Sequence, residues 1–553
     1  MSGRTTSRLQ RTISRQLVPL AGLLASLCAP NLAEAKDFYV DPVKGAKTGD
    51  GSAAKPWRTI QEVIDAKQVE TQSWDQLPHQ PGSSKLVPRN VGAPIKAGDT
   101  IYLRSGFHGS LTISGHYNAK EILIAAAPGE TPRLSWVRIV GSSRWRIRGL
   151  SISPSFAQTY QRKTMISIES PGYQGPSEDV VIEGNTLRSV PDISAWSAND
   201  WDTKATNGIS VSGPRHQVLN NTLENVNFGI RVSGVDALVR GNTINRFSGD
   251  GLRGLGDRGL FENNLVKNCY EVNANHDDGF QSWSVKGGKV GAGEVRGVVL
   301  RGNTIINYDD PNQPMRCQLQ GIGMFDGTFV DWVIENNVII VDHWHGITLL
   351  GARNCRVVNN TVMDPNGAKP GPPWIKIGKH KKGTAPTDCL VRNNIAHDFT
   401  SASGVIADHN IKIKDASKLF VDPAGYDLHL LQSSAAVDQG SSAQAPATDI
   451  EGTPRPQGSA VDVGAYEWHE TKLDAGLLDG AAQADGGIGP VADGGGVTPD
   501  HGAASGDGAV SVGDAGGGSS GGCVMTDAGR IGGVGLWLLL ALLLGRRRRH
   551  SRR

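Results

Sequence analysis

The run Asn275-His276-Asp277-Asp278-Gly279-Phe280-Gln281-Ser282-Trp283 sets an imidazole, two carboxylates, an amide and an indole side by side. Asp250, Arg231, Arg253, Phe325, His343, His345 and Lys376 join it once the chain is folded as argued below. Such a set suits removal of the proton α to the carboxylate of a uronate sugar, the step shared by β-elimination and epimerisation. That proton is weakly acidic until the carboxylate is neutralised, by Ca²⁺ or by an arginine. Asp250, Asp277 and Asp278 are the oxygen ligands that would suit Ca²⁺. Arg253, His276 or Lys376 is the candidate base, with Asp278 and His345 in the same catalytic group. An arginine base is chemically awkward because its pKa is so high. Arg231, Gln281, Trp283 and Phe325 are the substrate-binding candidates, the two aromatics as a platform for sugar rings. Blander readings exist: Asp277 and Asp278 as turn residues, Arg231 and Arg253 as solvated face residues, His343 and His345 as flanks of a bend.

The elements that must position these groups are repeats. A short pattern recurs about every 21 to 28 residues: Gly208-Ile-Ser-Val-Ser, Gly229-Ile-Arg-Val-Ser, Gly251-Leu-Arg-Gly-Leu, Gly279-Phe-Gln-Ser-Trp, Gly321-Ile-Gly-Met-Phe and Gly346-Ile-Thr-Leu-Leu. Trp374-Ile-Lys-Ile-Gly378 continues it without the leading glycine. A second signature is an Asn followed by one residue and then an aliphatic one, at Asn185, Asn221, Asn242, Asn264, Asn303, Asn337, Asn360 and Asn394. A fixed period of this size marks a stacked-repeat architecture. Within each copy the first and third residues after the glycine are mostly apolar, a period of two, so each copy is a short strand with one buried face. Strands of one pattern joined by long returns stack in parallel, and the Asn column can hydrogen-bond along itself at a bend. The expected fold is all-β, a right-handed parallel β-helix. Its outward columns read Ser210, Arg231, Arg253, Gln281, Gly323, Thr348, Lys376 and Ser212, Ser233, Leu255, Trp283, Phe325, Leu350, Gly378. Asn207, Phe228, Asp250, Asp278, Gln320 and His345 precede the strands. Two irregular stretches, Val285–Arg296 and Tyr308–Gln318, are expected to rise around this face as loops.

The repeats, over roughly 100–430, resemble the pectate-lyase-like β-helix family. That resemblance implies the architecture and permits an Arg or Lys base, and implies little more about the reaction. Asp277-Asp278, Trp344-His345-Gly346 and Ile375-Lys376-Ile377 loosely resemble the Asp-Asp, Gly-His-Gly and Arg-Ile-Lys of polygalacturonase-type glycosidases, with Trp344 and Ile375 departing from that pattern. Asp250 and Asp278 on adjacent rungs would stand near the spacing of about 5 to 5.5 Å of a retaining pair, whereas polygalacturonases invert. Three functions therefore stay open: a polysaccharide lyase or uronate epimerase, a glycoside hydrolase, and a non-catalytic carbohydrate-binding or adhesive surface protein.

The rest of the chain frames that domain. Its 553 residues carry a net charge of only +2 and 71 glycines, which argues against nucleic acid as a partner and for one large domain with tails; a monomer is expected. Residues 1–35 read as a secretory signal, with a basic lead, an apolar run and Ala33-Glu34-Ala35. Residues 36–99 read as an N-terminal cap, in which Thr59 caps a short helix through Glu62 and Lys67–Val91 is a surface loop. Residues 431–470, ending in Gly464-Ala465-Tyr466-Glu467, resemble the closing segment of secreted bacterial β-helix proteins. Residues 471–522 read as a disordered Gly/Ala/Asp tether. Residues 523–553, with Cys523, an apolar run and an arginine cluster, resemble a MYXO-CTERM sorting tail. It implies membrane contact before processing and a cell-surface, outer-membrane-anchored or released product. Cys355 and Cys389 fall in one column of adjacent rungs, so either a disulfide or a stacked pair of free thiols is expected there; Cys269 and Cys317 are left unassigned.

Overall fold

Period-two strands bounded by glycine and asparagine bends leave the chain one way to bury its apolar faces, by winding them into coils. In the computed structural model, which describes residues 35–470, the coil Ile209–Val211, Gln217–Leu219, Thr222–Val226 is followed directly by the next, Ile230–Val232, Leu238–Arg240, Thr243–Phe247. Each strand pairs in parallel with its counterpart one turn on, as in Ile209↔Ile230, Ser210↔Arg231 and Val211↔Val232. Three sheets result, of 11, 12 and 15 strands, parallel throughout except for an N-terminal hairpin on the largest. The chain is a right-handed parallel β-helix. The 11-stranded sheet carries the candidate residues and is called the site sheet below.

The bends explain the two sequence signatures. At the turn into the 12-stranded sheet each ladder Asn donates both its backbone N–H and its Nδ2 to Oδ1 of the next, at 3.0 Å for Asn221 to Asn242 and at 2.9 and 3.0 Å for Asn303 to Asn337. The ladder runs one step beyond Asn394, to Asn410. The residue before it takes the left-handed region, as Asn220 (φ 54°) and Gly241 (φ 67°) do, which Asn and Gly tolerate best. The glycine column serves a different need: a Cβ on Gly251 or Gly279 would meet the core side chains Val266 and Ile305 and, at 2.9 Å, the carbonyl of the next coil.

The interior is a continuous apolar column from Val40 to Val391. Its centre is aromatic, with Phe280 5.1 Å from Phe261 and 6.2 Å from Trp332 between ring centroids. Gly254 takes an inward position where most other coils carry an apolar side chain, and the rings of Phe261 and Phe280 fill that space.

Thr59 caps Ile60–Asp65, accepting from Glu62 N–H at 3.3 Å, and that helix buries Ile60, Val63 and Ile64. Lys67–Val91 is not only a loop: Thr71–Trp74 and Leu86–Arg89 form an antiparallel hairpin that joins the 15-stranded sheet through Gln72↔Tyr117. Its Pro88 and lack of alternation hid it, as suits an edge strand. Val285–Arg296 is also more ordered than a loop, with the hairpin Val285–Lys286/Lys289–Val290 and the strand Glu294–Arg296 paired to Thr328–Val330. The 431–470 segment lies along the flank of the coils, where Asn336 donates to Thr448 O (2.7 Å), Asn359 to Asp462 O (3.0 Å) and Asn393 to Ser441 O (2.8 Å). The stretches read above as a signal peptide (1–35, of which only residue 35 is described), a tether (471–522) and a sorting tail (523–553) otherwise lie outside the described residues. No helix among the described residues is long and apolar enough to cross a membrane.

Candidate functional site

Asp278 enters the site sheet just before Gly279 and is fully buried. Its Oδ2 accepts from Gln281 Nε2 at 2.8 Å and lies 3.2 Å from His276 Nδ1, while its Oδ1 is buried with no hydrogen-bond partner. The carboxylate rests over Gly323, directly across from Gln281 on the next coil; a Cβ there would collide with Oδ1. One coil earlier, Asp250 is ion-paired to Arg253 and accepts the backbone N–H of Asp278 at 3.2 Å. Burial pushes the Asp278 carboxyl up to about 7, opposed by the hydrogen bond from His276, with the negative charge of Asp250 adding to the rise. A carboxyl so placed is a poor direct reagent and a strong orienting group for its neighbour.

That neighbour is partly exposed. The His276 side chain is 37% accessible, against 0% for Asp278. With Asp278 ionised, Nδ1 must be the donor, which leaves Nε2 as the basic atom. Arg253 lies beside this pair with its guanidinium 3.7 Å from the Phe228 ring centroid and 5.3 Å from that of Trp283. Two aromatic faces and the Asp250 carboxylate thus hold one cation rigidly at the mouth of the dyad. Phe325 completes the wall, its centroid 6.4 Å from His276 and 4.8 Å from His345.

The outward column is as expected: Ser210, Arg231, Arg253, Gln281, Gly323, Thr348 and Lys376 pair in that order. The next column departs from expectation. An irregularity after Gln281 sets Trp283 opposite Asp326, not Phe325, so the two aromatics are not stacked in one column. Both are half-buried, and neither is the open platform the alternation suggested.

The candidate set also separates along the sheet. Lys376 lies three coils past Gln281, roughly 14 Å at the usual interstrand spacing, so it does not act on the atom His276 faces. His345 belongs with Lys376: its Nδ1 is 2.9 Å from Thr348 Oγ1, and burial lowers its pKa to about 3, keeping it neutral. His343 is lowered likewise to about 4. Arg231 lies two coils before Gln281 in the same column.

The three aspartates expected to bind Ca²⁺ do not converge. Asp250 is taken by Arg253, and Asp278 faces His276 and Gln281. Asp277 turns to the opposite side, accepting from Asn275 Nδ2 at 2.8 Å beside Cys269 Sγ at 3.6 Å. Burial raises its pKa well above the carboxylate range. Among the described residues, the group of metal-binding types drawn within 4.8 Å is Cys269, Asp277 and Cys317, and its sulfurs are already bonded to each other as the Cys269–Cys317 disulfide. This donor set does not fit a divalent cation.

That disulfide ties the segment leading to His276 onto the Tyr308–Gln318 loop, whose Gln313 also donates to Cys269 O at 2.5 Å. Sequence spacing gave no hint of the pairing, because Cys269 ends a repeat strand opposite Phe247 while Cys317 sits in an insertion outside the repeat. Cys355 and Cys389 share a column as expected and are free, buried thiols. Two further site residues carried a readable signal. Gly323 interrupts a polar column, and Phe228 is a large apolar residue in a bend column otherwise polar or acidic.

Residues 207–370 match the family model described as a right handed beta helix region. Among solved structures, the chain is similar to pectate lyase Pel9A (15% identity, 79% of this chain and 98% of that one, TM-score 0.40). It is also similar to XylC in complex with xylose (10%, 78% and 98%, 0.44) and to the A-module of the Azotobacter vinelandii mannuronan C-5 epimerase AlgE4 (12%, 57% and 89%, 0.31). No curated protein matches the sequence.

Proposed function

We propose that this protein acts on an acidic polysaccharide outside the cell, as a uronate lyase or epimerase with His276 as the base. The observation that carries the reading is the buried Asp278 holding a partly exposed imidazole next to a clamped arginine. Asp278 is a positioning residue: it fixes the Nδ1–H tautomer and stabilises the imidazolium once His276 has taken a proton. Arg253 pairs with the uronate carboxylate and lowers the acidity barrier at C5. Nε2 takes the C5 proton. In elimination the electron pair left at C5 forms the C4=C5 bond, the C4–O bond breaks, and the leaving oxygen takes a proton from water. In epimerisation a proton returns to the opposite face of C5. No step runs through a metal. The export signal and sorting tail read from residues 1–35 and 523–553 support an extracellular, surface-tethered site of action.

Hydrolysis is less well supported. A retaining or inverting pair must present both carboxyls to a glycosidic bond, and Asp250 and Asp278 are both buried and engaged.

The test is incubation of the protein with a panel of uronate polysaccharides in deuterated buffer. Unsaturated ends are read by ultraviolet absorbance, and deuterium at C5 by mass spectrometry. We expect one of the two signals, lost in His276→Ala and insensitive to chelator. Reducing ends without either signal would replace this reading with hydrolysis, and none of the three would favour the binding protein.

A further inference from the structure

Three coils beyond the dyad, the strand Trp374–Gly378 replaces the repeat's leading glycine with an indole opposite His345. Trp374 Nε1 donates to the buried Thr348 hydroxyl at 3.0 Å, and that hydroxyl shares a hydrogen bond with Nδ1 of the neutral His345 at 2.9 Å. The indole plane is therefore pinned from below. Trp344 stacks alongside with centroids 6.2 Å apart and planes 20° from parallel, and it is 40% exposed, one of the few large aromatics at the surface. Lys376 Nζ hangs 4.9 Å from the Trp374 centroid. It makes no ion pair with a carboxylate among the described residues, whereas Arg353, Lys381 and Lys412 on this flank do.

A fixed pair of indoles offers flat area to the C–H face of a sugar ring at low ordering cost. The ammonium beside them has no carboxylate partner among the described residues. We infer that Trp344, Trp374 and Lys376 form a second saccharide subsite that takes a negatively charged sugar residue of the same chain whose other residue lies at His276. The inference rests on the proposed uronate chemistry for the identity of that chain. The separation of roughly 14 Å exceeds the reach of one sugar ring, so only an oligomer engages both places, and engagement at one raises the effective concentration at the other. The ligand is thereby specified as a polyuronate, bound along the sheet axis, and not an acidic monosaccharide or a polymer with isolated charges.

Binding by the full chain carrying His276→Ala, which keeps substrate intact, tests this by calorimetry against uronate dimers, long uronate oligomers and neutral oligomers of matched length. Adding Lys376→Met or Trp344→Ala is expected to weaken the long uronate oligomers by about tenfold, with a much smaller effect on dimers. Lys376→Met should also reduce the salt dependence of the long-oligomer affinity, leaving the share due to Arg253, while Trp344→Ala keeps it whole. Equal affinity of the Lys376→Met protein for long uronates overturns the subsite, as does an equal loss for neutral oligomers. The two readings fail separately. Lys376-dependent uronate binding without turnover in the wild-type protein keeps the subsite and removes the lyase or epimerase. Turnover with Lys376-independent binding does the reverse.

Discussion

At the scale of the residue, Asp278 combines two opposing demands. Folding removes its carboxyl from water and lifts its pKa from the usual range near 4 to about 7. Between these values the unfolded chain has released the proton and the native state has kept it, so the native state binds more protons and stability falls as pH rises. Above about 7 both forms are ionised and the penalty is complete. Asp278→Asn cannot ionise, so its stability relative to wild type should rise from pH 5 to pH 8, as urea denaturation at the two values would show. Catalysis runs the other way. The ionised carboxylate is the form that orients His276, so turnover should climb as pH passes about 7 and lose that limb in Asp278→Asn, with a fall of roughly 10²–10⁴. The pairing of Asp278 with His276 across two positions was legible in the sequence as a dense polar run. Its complete burial was not, because a bend residue before glycine reads as exposed unless the loop above it is known.

At the scale of the element, the site depends on three adjacent strands being in register and on one missing side chain. Gly323 stands where every other coil of the central column from Ser210 to Lys376 has a side chain. Gly323→Ala puts a methyl group against Asp278 Oδ1 and 2.8 Å from Phe325 Cε2. Both belong to the dyad's surroundings and neither to the core. The variant should keep its β-sheet circular dichroism while turnover falls on the order of 10²-fold, the usual consequence of displacing a reacting group by about 1 Å. Undiminished turnover would show that the carboxylate need not lie over this glycine. Period-two alternation was enough to predict the column itself, since a one-residue slip would have turned every apolar side chain outward. The irregularity after Gln281 was not predictable, because it follows from the hairpin inserted just beyond Trp283.

At the scale of the molecule, a solenoid is stabilised coil by coil through nearest neighbours, and the 431–470 segment adds a brace across several coils. Its anchor is Arg455, fully buried against Glu467 at 2.6 Å and donating to Gly464 O at 2.9 Å. Removing one partner of such a pair leaves the other charge buried and unpaired. Arg455→Ala should cost about 3–5 kcal/mol, with hydrogen exchange rising first in residues 431–470 and in the Asn336, Asn359 and Asn393 turns they cover. Uniform exchange across all coils would instead mean that the brace and the solenoid unfold together.

The sequence alone determined the coil, its sheets, the Asn ladder and the ordering of residues along the site column. All of these follow from local periodicity, and periodicity is a property of neighbouring residues. It did not determine which carboxylate is buried, that the aspartates face apart, that Cys269 bonds Cys317, or that Lys376 belongs to a different place from His276. These depend on insertions that break the repeat, and on distances between side chains brought together from different coils. Only the folded chain specifies those distances, because each is the sum of a register, a bend and a loop that no single stretch of sequence contains.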